Sequence, residues 1–240
     1  MLNLKKLLSI FFIFFLLINQ KFTCSNCLDK KDLCFKEKNY FIKKDYVSRK
    51  EYIQVDYRDK HDDYQREVYE AAQNITLKES CKLIADVGCG SGQKLFEYFN
   101  EFETFGFEVE PNFSYLKTQY PNRNWLFSDL KTWDGLPLFD IVICADVVEH
   151  LLNPDDLLNW INKLGFKYLI ISTPDRDLLP KLQRTKPKQS QTGPPVNVKH
   201  IREWSFLEFN KYLSQYFDIV DHFHTKKEWW GQVVIARPKK

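Results

Sequence analysis

The sequence predicts an α/β fold in which a doubly wound, mostly parallel sheet of seven strands carries helices on both faces. Short apolar runs alternate with segments whose apolar residues recur at helical spacing, which is the pattern of repeated βα units. The first apolar run ends in a turn with glycines at positions 88, 90 and 92. The last two runs have a short connection, which requires an antiparallel pair, so we expect an antiparallel last strand.

The predicted strands are short runs rich in apolar and aromatic residues, as expected for strands of a covered sheet. They lie at residues 82–87, 104–109, 125–127, 139–145, 168–172, 218–223 and 232–236. The run at 139–145 is the most apolar of these. Since helical segments separate most of the first five runs, we expect five parallel strands followed by the antiparallel pair.

The predicted helices are identified by periodicity and by the residues at their ends. They begin at residue 62 and then occupy residues 92–102, 110–120, 151–165 and 205–216. Asp62 or Asp63 can cap the first helix. Its apolar face consists of Tyr64, Val68, Ala71, Ala72 and Ile75.

The later helices have clearer end signals. Pro111 takes the first position of the helix at 110–120. Asn153 is expected to cap the next helix, and Gly165 to end it. Ser205 and Glu208 have the spacing of a capping box. Residues 176–199 interrupt this order with prolines and basic residues, which is typical of a lid, a binding loop or a disordered loop.

The N-terminus differs from the rest of the chain. Lys5 and Lys6 precede an apolar run at residues 7–18, which predicts a signal peptide or a short membrane anchor at residues 1–25. We expect a leader or stalk at 26–61 and one domain at 62–240. This places the protein at a membrane or in the secretory pathway, with the cytoplasmic face of a membrane as the alternative. In a lumenal setting, the cysteine cluster at positions 24, 27 and 34 makes a disulfide plausible.

Composition narrows the class of partner. The net charge of +3 is too small to favour nucleic acid binding, so we predict no nucleic acid partner.

Hydrophobic residues make up 44% of the chain, which is enough for a substantial core. Cys81, Cys89 and Cys144 lie in or beside predicted core strands and are expected to be buried structural thiols. We predict no metal ligands from the sequence.

The glycine turn is the first candidate binding element. Asp86 ends the first strand, and the turn contains Gly88, Cys89, Gly90 and Gly92. A strand, a glycine turn and a helix together present backbone N–H groups to a ligand. The spacing differs from the G-x-G-x-x-G pattern of dinucleotide-binding enzymes. It closely resembles the first motif of class I S-adenosylmethionine-dependent methyltransferases, which implies a Rossmann-like methyltransferase fold and S-adenosyl-L-methionine as cofactor.

The resemblance assigns the remaining cofactor ligands. Glu108 lies two residues after a glycine in the second strand, where methyltransferases carry the acid that binds the ribose. Glu110 is then expected to cap the following helix. Ser128 and Asp129 follow the third strand, where the family places an acid beside the adenine.

The fourth strand ends in a second methyltransferase-like motif, residues 139–151. The resemblance predicts that Asp146 faces the methionine end of the cofactor or the acceptor. His150 is a candidate general base, and the alternative is that Glu149 and His150 only orient the turn. His200 is a second candidate base. With Arg202, it is also a candidate for binding an anionic acceptor, unless an Arg202–Glu203 ion pair simply fixes the loop.

The sequence therefore predicts methyl transfer from S-adenosylmethionine to a small-molecule, saccharide or lipid-linked acceptor by in-line displacement. Two other functions stay open. One is a nucleotide-cofactor oxidoreductase of the NAD type. The other is a non-catalytic binding protein that retains the fold, since a lumenal enzyme would depend on import of a cytosolic cofactor. We further predict possible membrane association through the apolar N-terminus.

Overall fold

The computed structural model describes residues 39–51, 64–131, 134–179, 191–227 and 230–240. The predicted signal peptide or anchor, the cysteines at positions 24, 27 and 34, and most of the predicted leader lie outside these residues. Within the described ranges, no helix combines the length and apolar character needed to cross a bilayer.

A seven-stranded sheet forms the centre of the protein, with strand order β3-β2-β1-β4-β5-β7-β6. The strands are β1 Leu83–Val87, β2 Glu103–Glu108, β3 Asn124–Phe127, β4 Phe139–Ala145, β5 Phe166–Pro174, β6 Phe217–His224 and β7 Gly231–Pro238. Strands β1 to β5 pair in parallel. Strand β7 lies between β5 and β6 and runs antiparallel to both. The predicted mostly parallel sheet with an antiparallel last strand is confirmed.

Helices cover both faces of the sheet. They are α1 Arg66–Lys78, α2 Gln93–Phe99, α3 Asn112–Gln119, α4 Pro154–Leu164 and α5 Phe206–Leu213. Ile141 and Ile143 of β4 pack in one core cluster with residues of α1, α2 and α3. Val142 and Cys144 pack in the other cluster with residues of α4 and α5. Successive β4 side chains thus enter opposite cores, as the two-residue period of a strand requires.

Helix ends agree with the sequence where a side chain or glycine acts locally. Ser205 and Glu208 form the predicted capping box, and Gly165 ends α4 with a φ of 73°. Asn153 occupies the N-cap position of α4, as predicted, but its side chain makes no cap hydrogen bond. Its Oδ1 accepts a hydrogen bond from Tyr40 instead, at 3.3 Å.

Helix α1 also differs from its predicted form. It begins at residue 66 rather than 62, and the possible caps at 62 and 63 lie outside the described residues. Tyr64, expected on its buried face, is 60% exposed. Tyr69 is buried because it packs against the sheet, where its hydroxyl donates a hydrogen bond to Asp86 of β1.

The segment at residues 40–51 is part of the folded unit, which runs from Tyr40 to Lys240. This start differs from the predicted one at residue 62. The segment is held by hydrogen bonds of its backbone and by side-chain contacts such as that of Trp204 Nε1 with Tyr40 O. Val47 N donates to Thr192 O and Arg49 N donates to Ile201 O, both at 2.8 Å. Such bonds leave no hydrophobic period in the sequence, which is why this part of the chain resembled a stalk.

Candidate functional site

A cavity of about 350 Å³ opens at the carboxyl ends of β1, β2 and β4. Parallel strands of an α/β sheet place ligand sites at this edge. The described residues that line the cavity are Tyr64, Gln65, Tyr69, Val87, Gly88, Cys89, Gly90, Ser91, Gln93, Lys94, Glu108, Val109, Ser128, Leu130, Ala145, Asp146, Val147, His150, Leu151 and Leu157. Most of the predicted site residues therefore meet around one space.

The glycines of the turn have different structural roles. All three have positive φ: 75° at Gly88, 56° at Gly90 and 72° at Gly92. A Cβ on Gly88 would lie 2.5 Å from Cγ2 of Val147, so the turn can approach the end of β4 only without a side chain. Gly92 does not line the cavity. A Cβ there would meet Trp125 at 2.7 Å, so this glycine allows α2 to pack on β3.

Asp86 lies behind the turn and does not line the cavity. It is 1% exposed, and its Oδ2 accepts a hydrogen bond of 2.9 Å from the Tyr69 hydroxyl. Its Oδ1 has no hydrogen-bond partner among the described residues. Burial, with a contribution from nearby Glu108, raises the pKa of Asp86 to about 7, while the bond from Tyr69 acts in the opposite direction.

The raised pKa of Asp86 predicts a specific pH dependence of stability. A carboxyl group that binds its proton more tightly when folded stabilises the fold fully below its unfolded pKa and loses that contribution as the pH rises through about 7. Replacing Asp86 by asparagine should remove this contribution, worth up to about 1.4 kcal/mol per pH unit between about pH 4 and 7. Urea unfolding of both proteins across this range measures it. Parallel stability curves would contradict the expectation.

Glu108 lines the cavity next to the glycine turn. Its Oε2 accepts a hydrogen bond of 2.7 Å from Gly90 N, and its Oε1 accepts one of 2.8 Å from Val109 N. Burial raises the pKa of Glu108, and these two backbone bonds act against that shift. Glu110, the competing acid, is exposed and accepts hydrogen bonds from the backbone and hydroxyl of Ser114. Only Glu108 faces the cavity.

The residues after β3 differ in position. Ser128 lines the cavity, and its backbone N–H donates to Glu108 O at 2.9 Å. Asp129 is exposed, is absent from the cavity lining, and accepts a hydrogen bond of 2.8 Å from Lys131 N. Cys89 lines the cavity although it is only 6% exposed, and burial holds the pKa of its thiol well above the ordinary value.

Asp146 takes a conformation fixed by the neighbouring strand. Its φ is 52°, a value that non-glycine residues rarely adopt. Its N–H lies 3.3 Å from Ser172 O, and Ser172 Oγ donates to Asp146 Oδ1 at 2.7 Å. These contacts to β5 hold the Asp146 side chain at the cavity edge.

His150 lines the cavity, whereas His200 does not. His150 Nδ1 lies 2.9 Å from Lys199 O, and burial together with nearby His200 lowers the pKa of His150 to about 4. His200 is buried, with Nδ1 2.7 Å from Glu203 Oε1 and Nε2 2.9 Å from Asn197 Nδ2. The two imidazole rings stand edge to face, with centroids 5.0 Å apart.

Arg202 donates its hydrogen bonds to backbone carbonyls and not to the carboxylate of Glu203. Its guanidinium donates to Leu151 O and to Leu152 O, both at 2.7 Å, and it is 4% exposed. It therefore fixes the turn after β4 against the segment that carries His200.

Sequence reasoning did not identify which residues at the start of α1 line the cavity. Gln65 and Tyr69 line it, and Gln65 Nε2 donates to Ala145 O at 3.1 Å. The only sequence signal was the helical period of this segment, which indicates a packed face and not a ligand. The complete burial of Glu149 was also missed.

A family model described as a methyltransferase domain matches residues 58–227. The PH0226 protein from Pyrococcus horikoshii OT3 is similar, at 19% identity and a TM-score of 0.59, over 78% of this chain and 97% of that one. A second similar structure is Burkholderia thailandensis 1,6-didemethyltoxoflavin-N1-methyltransferase, solved with 1,6-didemethyltoxoflavin and S-adenosylhomocysteine. It has 19% sequence identity and a TM-score of 0.55, over 77% of this chain and 84% of that one. The small RNA methyltransferase HEN1 is also similar, at 20% sequence identity and a TM-score of 0.56, over 80% of this chain and 27% of that one. No curated protein matches the chain.

Proposed function

Because the chain belongs to the methyltransferase-domain family, it is an S-adenosylmethionine-dependent methyltransferase, and we propose that its acceptor is a small molecule, a saccharide or a lipid-linked saccharide. A position at a membrane, through the apolar N-terminus, is part of the proposal. The acceptor is inferred from the cavity because proteins of this fold act on acceptors as different as RNA and toxoflavin.

The observation that carries the proposal is the hydrogen bond between Glu108 and Gly90 N at the cavity wall. It holds the carboxylate at the glycine turn, where it can accept hydrogen bonds from both ribose hydroxyls of the cofactor. Gly88, Cys89 and Gly90 then lie beside the methionine end. Val109, Ser128 and Leu130 also line the cavity and are proposed to border the adenine.

Asp146 and Asp129 complete the proposed cofactor site. Asp146 is held at the cavity edge by Ser172 and is placed to contact the methionine end. Asp129 is proposed to accept from the adenine amine, which requires its side chain to turn away from Lys131 N. Asp86 and Gly92 support the turn from behind, since neither lines the cavity.

The chemistry needs positioning more than covalent assistance from the protein. S-adenosylmethionine supplies a methyl group activated by a sulfonium, and the residues around it must align the acceptor and exclude water. His150, at the opposite cavity wall, is the side chain placed to contact the acceptor. Its low pKa makes it a weak proton acceptor, and His200 is proposed to position it through their ring contact.

An aromatic pair supports a ring-shaped acceptor. Tyr64 lines the cavity and is 60% exposed, and its ring centroid lies 6.2 Å from that of Trp230. Exposed aromatic rings beside a cleft offer flat apolar surfaces with polar tips, which suit planar heterocycles and the apolar faces of sugars.

The test is methyl transfer by the full-length protein with S-adenosylmethionine labelled in the methyl group. Separate pools contain heterocyclic metabolites, free saccharides, lipid-linked saccharides and RNA. We expect label in one of the first three pools. Label in RNA alone, or in none of the pools while S-adenosylhomocysteine binds, would refute the acceptor assignment. Binding of NAD in place of S-adenosylhomocysteine, measured by calorimetry, would instead indicate the oxidoreductase.

A further inference from the structure

We propose that Glu149, His150 and His200 bind a divalent transition-metal ion next to the cofactor cavity. Each residue offers one ligand atom, and the three atoms lie within 4.8 Å of one another. Ligand atoms around a tetrahedral ion with bonds of about 2.1 Å lie about 3.4 Å apart. Side-chain rotations that shorten the widest separation by up to about 1.4 Å would therefore bring the three atoms to bonding distance.

The buried carboxyl group of Glu149 is the strongest indication of a ligand. Glu149 is fully buried, and neither of its oxygens has a hydrogen-bond partner of good geometry among the described residues. The hydroxyl of Thr173 lies close enough to counter part of the rise in the Glu149 pKa, but it makes no hydrogen bond of good geometry. Burying a carboxyl group without partners is costly, and the nearby acidic group of Asp146 adds to that cost. A bound cation would remove both penalties.

The surroundings orient both imidazoles for metal binding. The Nδ1–H of His150 donates to Lys199 O, which leaves Nε2 as the nitrogen with a lone pair, 3.9 Å from Glu149 Oε1. His200 Nδ1 bonds Glu203 Oε1, so its Nε2 is the ligand atom. Metal-bound histidines characteristically bond a carbonyl or carboxylate through the other ring nitrogen. The Asn197 amide now lies 2.9 Å from His200 Nε2, and a metal would take its place.

Backbone contacts hold the two parts of the cluster together although they are 50 residues apart in the chain. Ile201 N donates to Glu149 O at 2.8 Å. The Arg202 guanidinium bonds the carbonyls of Leu151 and Leu152, directly after His150. The cluster is thus flanked on both sides by fixed backbone, which pre-organises its geometry.

The donor set indicates the kind of ion. Two imidazoles and one carboxylate favour Mn²⁺, Co²⁺ or Zn²⁺ over Mg²⁺ or Ca²⁺, which prefer oxygen ligands. Three protein ligands leave coordination positions for another molecule. Since His150 lines the cavity, such a position can face the acceptor.

The role in catalysis rests on the proposed methyl transfer, whereas the metal site itself does not. A metal-bound acceptor hydroxyl has a lowered pKa and loses its proton to water. The oxygen then forms a bond to the methyl carbon while the carbon–sulfur bond breaks and its electron pair stays on sulfur. The products are a methyl ether, S-adenosylhomocysteine and one released proton.

The test is a titration of full-length, chelator-treated protein with Co²⁺ alone, followed by calorimetry and by the visible absorbance of the ion. We expect one site, and we expect Glu149→Gln and His200→Asn each to weaken binding by about 100-fold, since each loses one of three ligands. Glu149→Gln also replaces an unpartnered carboxyl group by a neutral amide, so its thermal unfolding midpoint should not fall. The control is His222→Gln, a partly buried histidine on β6 outside the cluster, which should bind Co²⁺ as the unchanged protein does.

Two results would overturn the metal site: no Co²⁺ binding to the unchanged protein, or equal binding by the protein and both cluster variants. Titration of the same samples with S-adenosylhomocysteine separates this failure from failure of the proposed function. Binding of S-adenosylhomocysteine without Co²⁺ refutes the metal site alone. Binding of Co²⁺ without S-adenosylhomocysteine refutes the cofactor assignment alone.

Discussion

Replacing Glu108 by alanine is expected to weaken the binding of S-adenosylhomocysteine by about 100-fold. In the proposed complex the carboxylate accepts hydrogen bonds from two ribose hydroxyls, and hydrogen bonds to a charged group contribute about 1.5–3 kcal/mol each. Loss of about 3 kcal/mol corresponds to about a 100-fold change in dissociation constant. The substitution also removes the acceptor of the Gly90 N–H, so the glycine turn loses a fixed contact. Isothermal titration calorimetry on the full-length protein measures the affinity.

The matched control for this experiment is Glu110→Ala. Glu110 ends the same segment but bonds Ser114 on α3, away from the cavity, so its loss should leave the affinity for S-adenosylhomocysteine unchanged. Glu108→Gln keeps one acceptor oxygen, so its affinity for S-adenosylhomocysteine should lie between those of Glu108→Ala and Glu110→Ala. A Glu108→Ala protein that binds within about threefold of the unchanged protein would remove the proposed position of the ribose.

Replacing Trp204 by alanine is expected to lower the free energy of unfolding by about 3–5 kcal/mol, the usual cost of removing a large buried aromatic side chain. Trp204 is fully buried and stacks on Tyr212 of α5, with ring centroids 5.5 Å apart. Its Nε1 also donates to Tyr40 O at 2.9 Å. The loss should therefore both destabilise the core and release the segment at residues 40–51. Urea unfolding and limited proteolysis measure the two effects.

Two further variants separate packing from the hydrogen bond. Trp204→Phe retains most of the ring contact and loses the donor, so it should cost about 1 kcal/mol and still expose the segment at 40–51 to protease. Leu207→Ala removes a side chain of α5 that is 69% exposed, and it should change neither the free energy of unfolding nor the rate of proteolysis. Full protection of residues 40–51 in Trp204→Ala would show that this contact does not hold the segment.

The sheet was largely predictable because its signals are local. Each strand is a short apolar run, and the turn between β6 and β7 is too short for a parallel crossover. The glycine turn was equally clear, since positive φ at three nearby positions requires glycine. Glu108 could be chosen over Glu110 because it lies two residues after the glycine of the second strand, the position at which the methyltransferase resemblance places the ribose acid.

Contacts between elements that are distant in the chain could not be predicted in the same way. Nothing in the period of α1 distinguishes Tyr69, which reaches Asp86, from a side chain that simply packs on the sheet. Asn153 has the right residue type and position for a cap, yet a tyrosine 113 residues away takes its oxygen. The segment at residues 40–51 is held by hydrogen bonds with residues 113 or more positions away in the chain, which no local pattern encodes.

The sequence by itself determined the order of strands and helices, the glycine turn and the acid that faces it, because these depend on neighbours within a few residues. Only the tertiary structure decided that His200 lies against His150 and that the Glu149 carboxyl group is fully buried beside them. Those positions follow from backbone hydrogen bonds between segments about 50 residues apart, and no local pattern encodes which distant loop will supply the donor.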